Sequence, residues 1–156
     1  MLKTILPDEN ATLELGGAIA RGLEPGLILF LHGELGAGKT TLVRGVLRAL
    51  GYAGRVKSPT YALVELYAVS RLHLHHFDFY RFSDPREWTE AGFRESFDGQ
   101  KVSLVEWPEK AQGLLPLPDV ELTLAIQDSG RVATLVANTP KGQRCLDAAL
   151  LHYSGR

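Results

Sequence analysis

Residues 33–40, GELGAGKT, stand between LILFLH at 27–32 and TLVRGVLRALG at 41–51. They match G-x-x-x-x-G-K-[ST] without a gap, in the context that the pattern needs: an apolar run before it and a helix-forming segment after it. Residues 27–31 are continuously apolar, as in a strand covered on both faces. Residues 39–50 read as the helix, stopped by Gly51. Gly33, Gly36 and Gly38 let the backbone N–H groups turn inward around phosphate oxygens. The helix N-terminus adds unpaired donors and the positive end of its dipole. The cradle therefore comprises Glu34, Leu35, Gly36, Ala37, Gly38, Lys39, Thr40 and Thr41. Lys39 brings a point charge to the β- and γ-phosphates, and the Thr40 hydroxyl is a candidate Mg²⁺ ligand. Such a loop can serve phosphoryl transfer, hydrolysis or binding alone.

The segments around the loop set the fold class. Residues 10–24 read as a helix that Thr12 caps or opens, followed by a turn at Glu24-Pro25-Gly26. Ser58-Pro59-Thr60 is a loop. Residues 61–67 and 72–80 read as strands of an antiparallel hairpin, with 68–71 as spacer. A short helix runs from Asp84-Pro85 to about residue 93. Residues 101–106 form a buried strand, and 108–114 are helical or irregular. A second hairpin joins 120–126 to 132–137 through a turn at 127–130, and 143–152 closes the chain as a helix. The whole of 1–156 is expected to form one α/β domain of the P-loop NTPase type. Its sheet is mixed, mostly parallel and flanked by helices, with antiparallel additions, because so many strands follow the first helix.

Acids and hydroxyls outside the loop are candidates for the rest of a nucleotide site. Glu106 ends an apolar strand, where a carboxylate can hold Mg²⁺ directly or through water. In HHFDFYR, residues 75–81, alternation puts Phe77 and Phe79 on one face and His76, Asp78 and Tyr80 on the other. The rings are expected to be buried and the polar row presented. Asp78 is then a candidate to orient water, take a proton or help hold Mg²⁺; the plain alternative is a strand with one solvated face. His73, His75 and His76 raise the question of zinc, but adjacent strand positions point to opposite faces. Thr60 is placed to sense a γ-phosphate or its metal, as switch loops do, or simply belongs to a Ser-Pro turn. Arg131 can stack on a base or pair with a phosphate. Trp107 is either a core residue or a partner contact.

Composition bounds the setting. The chain has 156 residues, 45% of them apolar and 22% charged, which suits one core of ordinary size. A formal net charge of −1 supplies no global basic field for nucleic acid. Cys145 is the single cysteine, so no intrachain disulfide forms, and a reducing compartment is expected. The N-terminal residues do not read as a signal peptide, and no apolar run nears the roughly 20 residues of a membrane helix. A soluble cytoplasmic protein is expected.

Several motifs occur here in a specific order: GELGAGKTTLVRGVLRALG, VKSPTYALVELY, HFDFYRF and LVEWPEK. In that order they resemble the bacterial TsaE family, also called YjeE. The opening TLELGGAIA resembles the family's T-x-x-L-G-x-x-L-A, with Ile19 for the usual Leu, and Gly130-Arg131 also fits. The phosphate loop alone is widespread, whereas S-P-T, H-x-D-x-Y-R and E-W in one short chain are specific.

The resemblance implies an ATPase needed to make N6-threonylcarbamoyladenosine beside the tRNA anticodon. It implies work with TsaB and TsaD, with TsaD transferring the group and ATP hydrolysis resetting or regulating the complex, so that tRNA is met indirectly. By position, it implies that Lys39 holds phosphates, that Thr40 and Glu106 serve Mg²⁺, and that Asp78 is the catalytic or γ-phosphate-sensing acid. Thr60 would be a switch residue, with Thr12 and Arg131 near the nucleoside. The competing reading is a small-molecule kinase, which needs an acceptor pocket and a lid that this short chain has little length to build. A binding module with negligible catalysis is the third.

Overall fold

The computed structural model describes residues 1–59, 62–90 and 92–153. In chain order the elements are β1 (Leu2–Leu6), α1 (Glu9–Ala20), β2 (Ile28–His32), α2 (Lys39–Ala49), β3 (Val64–Val69) and β4 (Leu72–Asp78). There follow α3 (Pro85–Glu90), α4 (Phe93–Ser96), β5 (Val102–Glu106), a 3-10 turn (Pro108–Ala111), β6 (Val120–Gln127), β7 (Gly130–Ala137) and α5 (Pro140–His152). The strands form one seven-stranded sheet in the order β1-β7-β6-β2-β5-β4-β3. Its four central strands, β6, β2, β5 and β4, run parallel, and antiparallel strands are added at both margins. The expected mixed α/β sheet with a parallel core is the one found.

The apolar run at 27–31 is explained by its place. β2 lies between β5 and β6, and both of its faces are covered. Leu29 and Leu31 join the larger core with Leu15, Leu42, Val46 and Leu146 from the helices α1, α2 and α5. Phe30 faces the other way, into an aromatic core with Phe77, Phe79, Trp88 and Phe93. Burying one large apolar side chain is worth about 1.5–3 kcal/mol, so a central strand loses most if an apolar position turns polar.

The helices α1 and α2 meet at two glycines. A Cβ on Gly16 would run into the Leu42 carbonyl oxygen, and one on Gly45 into the Leu13 carbonyl oxygen. This close approach seats α2, and hence the loop at its N-terminus, against the body of the domain. Asp119 does a similar task across the sheet: its carboxylate accepts from the Ile28 N–H at 2.8 Å and from the Thr139 hydroxyl at 2.7 Å.

Several expectations are corrected. β1 was not anticipated; only Leu6 is fully buried in it, so LKTIL carries little local signal, and pairing with β7 creates the strand. α1 opens at Glu9, because the Asp8 carboxylate accepts from the Ala11 N–H at 2.9 Å. Thr12 is therefore neither cap nor opening residue but a buried residue inside the helix. The hairpin spacer at 68–71 shrinks to Ser70-Arg71, whose φ values of 48° and 67° fit a tight two-residue turn. α5 begins at Pro140, capped by Thr139, three residues before the expected start at 143. The polar row of β4 is not solvated: His76 is 0% and Asp78 3% exposed, and only Tyr80 reaches solvent. β4 lies inside the sheet, with the helix-side core on one face and the aromatic core on the other. Phe77 and Phe79 are buried as expected. Thr60 and Tyr61 lie outside the described residues.

Candidate nucleotide and metal site

The loop sits where three parallel strands end at one level. The register pairs Leu31 of β2 with Glu106 of β5, and Glu106 with Asp78 of β4. Both acids are thus delivered beside residues 33–40 at the carboxyl edge of the sheet, where open α/β sheets take their ligands. Within the loop, Gly36 and Gly38 have φ of 81° and 104°, a left-handed geometry that side chains resist. Gly38 is also the residue from which α2 starts, so the helix N-terminus opens directly onto the cradle. The Glu34 and Leu35 side chains are exposed while Ala37 is buried.

Lys39 is buried, and its ammonium donates to the Gly33 carbonyl inside its own loop. It also lies 3.8 Å from the centroid of the Trp107 ring. Trp107 has φ of 56°, an unusual conformation for a bulky residue, and Tyr80 packs on it with ring centroids 5.0 Å apart. Trp107, ambiguous in sequence, is thus a wall of the lysine's site. Burial pulls the Lys39 pKa down, while Glu106, Asp78 and Glu109 oppose that shift.

The Thr40 hydroxyl donates to Glu106 Oε2 at 3.1 Å. The His76 ring Nε2 lies 2.6 Å from the same oxygen. Asp78 is held at both oxygens: Oδ2 accepts from the Ser58 hydroxyl at 3.2 Å, and Oδ1 from the Tyr80 N–H at 2.9 Å. The Ser-Pro-Thr loop therefore reaches the site through Ser58. Lys39, Thr40, Thr41, Asp78 and Glu106 all border one cleft of about 610 Å³.

A second cleft, of about 220 Å³, opens on the other side of the loop. Thr12, Thr41 and Arg131 line it, and Gly36, Gly38 and Thr41 are shared by both clefts. Arg131 spends its donors on backbone: Nε on the Ala37 carbonyl at 3.0 Å, Nη2 on Gly36 at 2.9 Å and Nη1 on Gly130 at 2.8 Å. It braces the cradle from outside, a contact that sequence reading did not foresee.

The oxygens of Thr40, Glu106 and Asp78 make a hard donor set of the kind Mg²⁺ takes, with phosphates and water completing its shell. No group of three or more His, Cys, Asp or Glu able to hold a metal occurs among the described residues. Of the remaining sequence candidates, His73 and His75 take no part in this cleft. His76 does not line it either, but it stands behind Glu106 in hydrogen-bond contact, a role whose only sequence signal was its place on the same strand face as Asp78.

The family model described as threonylcarbamoyl adenosine biosynthesis protein TsaE matches residues 6–133. The tRNA threonylcarbamoyladenosine biosynthesis protein TsaE of Haemophilus influenzae is 41% identical over 152 residues, covering 94% of this chain and 96% of its own. The protein of that name from Bacillus subtilis is 37% identical over 143 residues, covering 91% and 86%. The crystal structure of Bacillus subtilis YdiB superposes with a TM-score of 0.83 at 29% identity, covering 97% of this chain and 95% of that one. The matched span holds the loop, both acids, Ser58 and Arg131, and the chain belongs to the TsaE family of tRNA threonylcarbamoyladenosine biosynthesis proteins.

Proposed function

We propose that this chain binds Mg²⁺–ATP across residues 33–40 and hydrolyses it to ADP and phosphate, as the ATPase of the threonylcarbamoyladenosine machinery. Its partners are TsaB and TsaD, whose complex it drives or resets, and it meets tRNA only through them, in the cytoplasm. The observation that carries this reading is the convergence of Lys39, Thr40, Asp78 and Glu106 on one cleft, with a second cleft across the loop. The phosphates lie in the first cleft and the nucleoside in the second, near Thr12 and Arg131.

The chemistry follows from the residues. Lys39 leaves the Gly33 carbonyl and the Trp107 face for the β- and γ-phosphates, and the loop N–H groups share their charge. Thr40 and Glu106 would hold Mg²⁺, which would supply positive charge against the phosphates. Asp78, braced by Ser58 and Tyr80, orients the attacking water in line with the bond to the leaving ADP. Thr60 completes the switch loop. Turnover is slow in the isolated chain because the partners complete the site.

The test uses γ-labelled ATP and Mg²⁺, with and without purified TsaB and TsaD, and Lys39→Ala and Asp78→Ala as controls. Free labelled phosphate should rise with the partners and vanish in both variants. Label on a small metabolite would mean a kinase. Retained binding with no phosphate release, even with partners, would mean a binding module.

A further inference from the structure

Among the described residues around the site, His76 is the one polar side chain with no solvent exposure at all. It lies on the face of β4 that carries Asp78, and the register sets it opposite Leu104, two residues before Glu106 on β5. From there its Nε2 reaches diagonally to Glu106 Oε2, at 2.6 Å. That oxygen also accepts from Thr40. A carboxylate only accepts, so the ring must carry its proton on Nε2. The other ring nitrogen, Nδ1, is buried without a hydrogen-bond partner. A buried polar atom left in that state costs free energy. Leucine or valine would fill an interior strand at no such cost, as Leu74 does one position back on the same face.

We propose that His76 is a positioning residue for the metal: its Nε2–H fixes the Glu106 carboxylate so that the acid and the Thr40 hydroxyl address one Mg²⁺. The inference rests on the Mg²⁺–nucleotide reading above and deepens it. Without the imidazole, Glu106 loses its shorter hydrogen bond and can rotate about its side-chain torsions; the phosphate cradle, built by the loop and Lys39, is untouched. His76 therefore acts on metal affinity and leaves metal-free nucleotide binding alone. Outer partners of metal ligands commonly contribute about 10–100-fold in affinity.

The experiment measures binding of a fluorescent, non-hydrolysable ATP analogue in EDTA and then across a Mg²⁺ titration. Three proteins are compared: the parent, His76→Asn and His76→Gln. A glutamine amide nitrogen can reach about where Nε2 stands, and an asparagine nitrogen falls short. His76→Asn should raise the Mg²⁺ half-saturation about 10–100-fold while binding in EDTA stays within about twofold. His76→Gln should restore most of the loss. An unchanged Mg²⁺ half-saturation in His76→Asn, or an equal loss with and without Mg²⁺, overturns the proposal.

A second measurement needs no change at His76. The imidazole ¹⁵N resonances of His76 should shift when Mg²⁺ is added to the nucleotide-loaded parent, and should not shift in Glu106→Gln. No shift in the parent also overturns it. Failure of the parent protein to bind the analogue at all would instead sink the nucleotide reading, as would unchanged binding in Lys39→Ala.

Discussion

Cys145 and Lys39 respond to burial in opposite directions, and both responses are measurable. The Cys145 thiol is buried against α1, its Sγ 3.9 Å from the Ile19 carbonyl. Burial, with the Glu24 and Asp119 charges, pushes its pKa from 9.0 up to about 12. The folded protein keeps the proton that the unfolded chain gives up near pH 9. The thiol's contribution to stability is thus complete below pH 9 and is lost as pH rises from there toward 12. A thiol reagent at pH 8 should label the native protein slowly and the denatured protein quickly. Comparable rates in both states would contradict the burial. At Lys39 desolvation lowers the pKa of a cation, and the neighbouring acids limit the fall. Replacing Trp107 with leucine removes the ring over the ammonium. Lys39 then loses its cation–π partner, worth about 0.5–2 kcal/mol. A change in ATP affinity of Trp107→Leu by calorimetry, with Lys39→Ala as the zero, reads that coupling.

At the scale of elements, the seating of α2 on α1 governs the loop. Gly45→Ala puts a methyl group where the Leu13 carbonyl stands, and main chain cannot step aside as a flexible side chain does. Overpacking of this kind costs about 1–3 kcal/mol. Urea denaturation should show a lower midpoint with an unchanged slope. Nucleotide affinity should fall too, since the helix that opens onto the cradle is displaced. Retained stability would mean that the helices are not in close contact. The elements also divide by how far local sequence predicts them. The strands β2 and β5, the helix α2 and both hairpins were legible, because each carries its own periodicity and its own turn residues. β1 was not, because its partner β7 lies more than a hundred residues away, at Leu2↔Leu135. The start of α1 was misplaced because Thr12 was read as its cap, and only the geometry reveals Asp8 in that role.

Across the whole molecule, Arg131 ties the sheet's far margin to the loop. It comes from β7 and grips the Gly36 and Ala37 carbonyls, residues 95 and 94 positions earlier. Lysine has neither the planar fork nor enough donors in fixed directions to hold both. Arg131→Lys should therefore bind ATP several-fold more weakly while its melting temperature stays close to the parent's. An equal loss of both would mark Arg131 as a general stabiliser.

The sequence alone determined the glycine-rich loop, its lysine and its hydroxyl, because eight contiguous residues carry them. It also determined the α/β class, since apolar periodicity is a local property, and the family, whose motifs stand in a specific order. Tertiary structure alone decided that Asp78 and Glu106 end at one level, that His76 and Thr40 share one carboxylate oxygen, and that Trp107 covers Lys39. Those facts depend on parallel register between strands far apart in the chain. Register is set by packing across the whole sheet, and no short window of sequence contains it.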